Sequence, residues 1–246
     1  MRLEDPDTDF AQIENELSKV VKQVKKKYKF LFNFITVFFF TFQYSSNSDF
    51  WWLLAKVKYM LAKSEQFSND TNARKAKFED ANECAKRSLE LDKESAEAHK
   101  WAAITIGSLA DYVSLRERIS NGLSFHFHLD AAMERKKDDP TLYHLMGRFI
   151  IEIVSLSWIE RKLVNTFVDE LPDVDNNKAI QFFYEAYRLK PQWRENLLFL
   201  AKTLAADNRK NEAREIVKCC LELGEGITFE EREIYSKICE MNAKLS

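Results

Sequence analysis

Two stretches near the C-terminus carry the same pattern of small and apolar residues at positions 179 and 213, which are 34 residues apart. The pattern consists of Ala179, Phe183 and Ala186 in the first stretch and of Ala213, Val217 and Cys220 in the second. A fixed period of about 20 to 50 residues is typical of a solenoid, in which each repeat buries its apolar face against its neighbours. The spacing therefore predicts a stack of similar units.

A period of 34 residues is that of the tetratricopeptide (TPR) repeat, a helix-turn-helix unit. Pro191 follows the first stretch where that repeat has its closing proline. Five glycines and four prolines in 246 residues are too few for a protein built from strands and tight turns. We therefore predict an all-α, TPR-like array of about four helical hairpins with insertions, followed by a C-terminal capping helix.

The fourth hairpin has the clearest register. Ala201 on its first helix and Ala213 on its second are small enough for the two helix axes to approach closely. The third hairpin begins after Pro140, but its second helix, marked by Ala179, comes too late for an ordinary turn. This gap predicts an extra helix at roughly residues 156–168.

The first two hairpins are less regular. In the second, Ala103 and Phe125 lie on the two helices at either side of another insertion, and in the first, Ala55 pairs with Ala81 across a polar loop. Residues 228–231 read Thr-Phe-Glu-Glu, a capping box that begins the capping helix. The array with its capping helix is thus predicted to span residues 49–246.

Residues 24–43 differ from the rest of the chain, because a lysine-rich stretch at 25–29 leads into a phenylalanine-rich apolar run at 30–42. A basic flank before an apolar run is typical of a membrane anchor. The run is shorter than the roughly 20 residues that a spanning helix needs, and it lacks the cleavage site of a signal peptide. A membrane or interfacial anchor and a buried helix are two of its interpretations.

A third interpretation of residues 24–43 is a retained in-frame intron. Phe, Lys, Asn, Ile and Tyr are the residues that AT-rich DNA encodes, and the closing phenylalanines with Gln43 read as a pyrimidine tract and acceptor. Deleting the segment joins residues 1–23, a predicted N-terminal helix, directly to the polar loop before the first hairpin.

Neither charge nor motifs indicate an enzyme or a nucleic-acid-binding protein. The formal net charge is −2, so nucleic acid is not expected as a partner. The four cysteines show no CxxC spacing, which favours reduced thiols, and His126 and His128 do not share a helix face. No phosphate-binding, zinc-protease or hydrolase motif occurs. We expect no catalytic residue, no metal and no cofactor.

Three segments go beyond a generic TPR pattern: RISNGLSF at 118–125, HLMGRF at 144–149 and LSWIERK at 156–162. This succession, from about Asp49 onward, resembles the regulator of microtubule dynamics family. These are TPR-like proteins linked to microtubule attachment and the mitotic spindle, and some carry an N-terminal membrane segment. The resemblance transfers no catalytic residue.

The resemblance implies a cytoplasmic adaptor, at the cytoskeleton and spindle, that binds microtubules and influences their dynamics and chromosome segregation. Its expected partners are tubulin or acidic peptide segments, bound in the concave groove through Lys100, His144, Arg148 and Lys202. The alternative is a tether at the mitochondrial or endoplasmic reticulum membrane that recruits a lipid or protein, and it requires residues 25–42 to be a genuine anchor.

Deletion of residues 24–43 tests the interpretations of that segment. If it is an intron or an incidental insert, we expect the shortened chain to be soluble, helical by circular dichroism and at least as stable as the full chain. Unfolding of the array, or release of a membrane-bound protein into the cytosol, would instead show that the segment is structural or an anchor.

Overall fold

The computed structural model describes residues 45–67, 69–167 and 173–245. The predicted helix at 1–23 and the insert at 24–43 lie outside the described residues. All regular structure in the described part is helical. The helices are α1 (Ser48–Ala62), α2 (Thr71–Leu91), α3 (Ala96–Ser108), α4 (Leu115–Arg135), α5 (Pro140–Ser155), α6 (Trp158–Val164), α7 (Asn176–Leu189), α8 (Arg194–Ala206), α9 (Lys210–Glu222) and α10 (Phe229–Leu245).

The helices pair as antiparallel hairpins along the chain. Helix α1 packs on α2, α3 on α4, α5 on α7, and α8 on α9, while α10 packs on both α8 and α9. The short helix α6 lies in the connection between α5 and α7, where the late position of Ala179 predicts an extra helix. The all-α, TPR-like array of four hairpins with a capping helix is confirmed.

Small residues allow these hairpins to form. Ala201 on α8 and Ala213 on α9 are both 0% exposed, so the two helices meet there without an intervening side chain. The same holds in the first hairpin, where Ala55 and Ala81 are fully buried, and Cys220 fills a small-residue position in the fourth. The small residues therefore set the register of the array, as the 34-residue spacing indicates.

The insertion expected in the second hairpin is not a separate element. Helix α3 ends at Ser108, a short 3-10 turn covers Ala110–Tyr112, and α4 begins at Leu115. Ser114 caps α4: its hydroxyl accepts from the Glu117 backbone N–H, and the Glu117 carboxylate accepts from the Ser114 backbone N–H. The extra residues are thus absorbed by the turn and by a 21-residue helix.

Other helices begin at similar signals. Ser157 and Glu160 form a second capping box at α6, Asp139 caps α5 ahead of Pro140, and Asp175 caps α7. Before α10, Glu231 accepts from the backbone N–H of residue 228, as the Thr-Phe-Glu-Glu sequence predicts. These caps help to fix where the helices that carry them begin, because they satisfy backbone donors that the first helical turn leaves free.

One apolar core runs from α3 to α10, and two smaller clusters pack between α1, α2 and α3. In the large core, Gly147 on α5 faces Phe183 on α7, and a Cβ added at Gly147 would lie 2.7 Å from the Phe183 ring. Gly122 on α4 is different, because an added Cβ there meets nothing within 4 Å. The close approach of α5 and α7 thus requires a glycine.

This contrast gives a matched pair of substitutions. We expect Gly147→Ala to lower the free energy of unfolding by about 1 to 3 kcal/mol, because the aromatic ring must move. Gly122→Ala should raise it by about 0.5 to 1 kcal/mol, since glycine is unfavourable within a helix. Urea unfolding followed by circular dichroism measures both, and equal effects of the two variants would contradict the close contact.

Candidate functional site

First helices of neighbouring hairpins bring charged side chains together between α5 and α8. Arg148 Nη1 of α5 lies 3.5 Å from Glu195 Oε1 of α8. The Arg148 guanidinium also lies 4.8 Å from the centre of the Phe199 ring on α8, a cation–π contact. Arg148 keeps 44% of its side chain exposed, so it is a predicted site residue that a partner can reach.

A second pair joins the two ends of the array. The Lys63 ammonium, one residue beyond α1, contacts the Glu230 carboxylate at the start of α10. It also lies 5.4 Å from the Tyr59 ring. The four residues Lys63, Glu230, Arg148 and Glu195 are called the inner cluster. Sequence reasoning missed Lys63, Glu195 and Glu230.

Mutual attraction holds the inner cluster in its charged form. Burial opposes ionisation of Glu195, but the cations Lys63 and Arg148, with His144, outweigh it and lower the pKa of Glu195. Burial likewise opposes the charge on Lys63, yet Tyr59, Glu195 and Glu230 raise its pKa. Glu195 and Lys63 therefore both stay charged at neutral pH.

His144 is not a surface residue. It is 2% exposed, and its ring packs 4.5 Å from that of Trp193. Asn196 Nδ2 donates to the Phe183 carbonyl oxygen at 2.9 Å, so Asn196 Oδ1 accepts a hydrogen bond from His144 Nδ1 at 3.0 Å. Burial lowers the pKa of His144 to about 4. The prediction that His144 faces a ligand is corrected: aromatic residues of the next hairpin cover it.

Lys100 also has an internal role. Only 12% of its side chain is exposed, and its ammonium lies 2.7 Å from Glu97 and 2.6 Å from Asp139. Asp139 is the cap of α5, so the pair links the second hairpin to the third. Lys136 joins it at 2.6 Å from Glu97. This network offers Lys100 no free position for a partner, which corrects the prediction that it lines an open groove.

Lys202 is exposed on α8, as predicted, and its neighbours form a basic surface. Partial desolvation, and then repulsion from Lys237 and Lys244 on α10, lower the pKa of Lys202, against the opposing effect of Glu240. Lys202, Lys237 and Lys244 are called the basic patch. The two lysines of α10 are not among the predicted site residues, because the sequence of that helix indicates only a capping role.

A histidine pair links α3 and α4. His99 Nε2 donates to the carbonyl oxygen of Lys93 at 2.9 Å, so His99 Nδ1 must accept from His128 Nδ1, also at 2.9 Å. His126 points elsewhere and stacks on Phe149 at 4.8 Å, which confirms that the two histidines of α4 do not share a face. Burial, and then His99, lower the pKa of His128 to about 4.

In the described part of the chain, no group of three or more His, Cys, Asp or Glu side chains is arranged to hold a metal ion. Within the same residues, no single helix has the length and apolarity to cross a membrane. Helices α5 and α6 meet that test only together, and they bend by 113°.

The paired helices, the small residues at their crossings and the charged surfaces of the first helices define a TPR-like array. A family model described as Regulator of microtubule dynamics protein 1-3 matches residues 10–246. The chain therefore belongs to the regulator of microtubule dynamics family. The match begins before Asp49, so it extends further toward the N-terminus than the sequence segments indicate.

Curated relatives carry the same family name. Regulator of microtubule dynamics protein 1 of Caenorhabditis elegans is 38% identical over 129 residues, covering 52% of this chain and 57% of the relative. Protein 1 of Mus musculus is 30% identical, covering 71% of this chain and 57% of the relative. Protein 3 of Mus musculus is 28% identical, covering 73% and 38%. The chain thus spans between 38% and 57% of the length of these relatives.

Two solved TPR structures are similar at low identity. One, a thermophilic TPR protein of Thermus thermophilus, has a TM-score of 0.49 and 15% identity, covering 78% of this chain and 83% of its own. The other, a TPR protein described as having an unusual peptide-binding site, has a TM-score of 0.46 and 15% identity, covering 83% and 88%.

The buried histidines predict an acid-sensitive fold. His128 and His144 have pKa values of about 4 in the folded state and about 6.5 when unfolded, so the unfolded chain binds more protons between these values. We expect stability to be constant above about pH 6.5 and to fall as the pH drops toward about 4. The buried His144 contributes about 3 kcal/mol across this window, and the half-buried His128 less.

Urea unfolding at several pH values measures this effect. His144→Gln and His128→Gln should each reduce the dependence of stability on pH. If His144→Gln and His128→Gln both still lose the full amount of stability in acid, another group is responsible for the pH dependence.

Proposed function

We propose that the protein is a non-enzymatic TPR-like adaptor that associates with microtubules. In this role it regulates microtubule dynamics, attachment and chromosome segregation by binding acidic segments of tubulin or of other partners. The family name supports the microtubule association. The observation that carries the choice of partner is the basic patch of Lys202, Lys237 and Lys244 on α8 and α10.

The physical basis is charge repulsion. Partial burial, and then repulsion from Lys237 and Lys244, lower the pKa of Lys202 against the opposing effect of Glu240. An acidic peptide relieves that repulsion and gains attraction at the same time. Each exposed ion pair contributes only about 0.2 to 1 kcal/mol, so several must form together. Flexible acidic tails, such as those that tubulin presents, supply several carboxylates on one extended segment.

Arg148 of the inner cluster adds a second kind of cation to this surface. Its half-exposed guanidinium can bind a carboxylate with two parallel hydrogen bonds, which an ammonium cannot. We therefore place the binding surface at Arg148 and the basic patch, without His144 and Lys100. The adaptor would act in the cytoplasm, at the cytoskeleton and spindle.

The alternative function is a membrane-anchored tether at the mitochondrial or endoplasmic reticulum surface. The basic flank and apolar run at residues 25–42 favour it. In that case the same array recruits its partner to the organelle.

Charge reversal of the basic patch tests the proposed function. We expect Lys202→Glu with Lys237→Glu to weaken co-sedimentation with microtubules at least about tenfold, because two charges change sign and the contact loses about four units of positive charge. Wild-type binding should fade as salt rises from about 0.05 to 0.2 M, where the Debye length falls below about 10 Å. Circular dichroism should show unchanged helicity.

Lys210→Glu with Lys218→Glu is the matched control. Both lysines are exposed on α9, and the pair changes the net charge equally. An equal loss in both double variants would mean that only overall charge matters. If the wild type does not bind microtubules but is found on membranes, the tether is favoured.

A further inference from the structure

The contact between Lys63 and Glu230 joins residues that are 167 positions apart. Lys63 follows the first described helix, and Glu230 lies in the first turn of the last. Nearest-neighbour stacking alone does not bring such distant units of a solenoid together. Glu195 on α8 also attracts the Lys63 ammonium, and this attraction helps to raise the pKa of Lys63. The two ends of the array thus meet at the inner cluster.

Each cation of the inner cluster already has a carboxylate of the same chain. Lys63 is paired with Glu230, and Arg148 is paired with Glu195. The basic patch differs, because Lys202 is partly desolvated and is repelled by both Lys237 and Lys244, with Glu240 in opposition. The inner cluster is therefore neutralised from within, while the neighbouring patch keeps an excess of positive charge.

We propose that the pair of Lys63 and Glu230 is an autoinhibitory clasp, and that the acidic segment of a partner displaces Glu230 from Lys63 when it binds. This inference rests on the proposed function for its partner class. In the free protein Glu230 occupies Lys63, as a carboxylate of the partner does in the bound state. The bound segment then runs from the basic patch into the inner cluster.

The exposure of the pair is suited to such an exchange. Lys63 keeps 27% of its side chain exposed and Glu230 keeps 41%, so an external carboxylate can approach the ammonium while the internal one leaves. Glu195 is less exposed, at 23%, and stays with Arg148. Replacing one carboxylate by another leaves the charge balance of Lys63 unchanged, so no ammonium group is left buried and unpaired.

A clasp lowers the apparent affinity without altering the contacts in the complex. When only a fraction of the molecules is open, the apparent Kd is the intrinsic Kd divided by that fraction. Removing the charge of Glu230 opens the clasp and raises the affinity for an acidic segment. Removing the charge of Lys63 also opens it, but it deletes a group that binds the partner.

The test uses the full chain and a short fluorescein-labelled oligoglutamate peptide, with affinity measured by fluorescence anisotropy at low salt. We expect Glu230→Gln to tighten binding about threefold, the scale of one partly exposed ion pair. Glu233→Gln is the matched control, since it removes the same charge from an exposed position on the same helix. Lys63→Gln should bind no more tightly than the wild type.

Equal affinities of Glu230→Gln and Glu233→Gln would overturn the clasp, and so would weaker binding by Glu230→Gln.

A separate measurement does not need the partner: thermal unfolding of Lys63→Gln, Glu230→Gln and the double variant. If the pair forms in solution, the Tm loss of the double variant is smaller than the sum of the single losses. Additive losses would overturn the clasp. If the Tm losses are coupled but neither the wild type nor any variant binds the peptide, the proposed acidic partner is overturned. The displacement of Glu230 by such a partner is then overturned as well.

Discussion

The architecture depends on how closely two helices can approach where their axes cross. Alanines at 0% exposure occupy these crossings in the first, second and fourth hairpins, and Gly147 occupies the crossing of α5 with α7. Larger side chains at these points would separate the helices and open the core, because interiors tolerate few voids. The remaining features, from the insertions to the charged surfaces, are accommodated around this fixed spacing.

The same constraint explains why the fold was predictable. Small residues must recur with the period of the hairpin, so the alanine pattern at Ala179 and Ala213 reports helix crossings directly. The late position of Ala179 was enough to predict α6. The second hairpin was harder, because its extra residues lengthen α4 and leave no signal of a separate element.

The binding surface was less predictable. The position of a residue on a helix indicates which way its side chain points, but not which residues of other hairpins it meets. His144 and Lys100 have the register of surface residues, but Trp193 covers the first and Asp139 pairs with the second. Both neighbours come from other hairpins. The contact of Lys63 with Glu230 joins residues 167 positions apart, and no local pattern in the sequence records so distant a contact.

The contact between Lys63, just beyond α1, and Glu230, at the start of α10, also bears on how the array loses its structure. A linear solenoid unravels from its termini, because an end unit has one neighbour where an internal unit has two. Here the units at both ends of the described array share a charged contact, and separating either end breaks the same pair. Fraying at one end is therefore coupled to fraying at the other, and a chain of nearest-neighbour units acquires some of the all-or-none cooperativity of a globular domain.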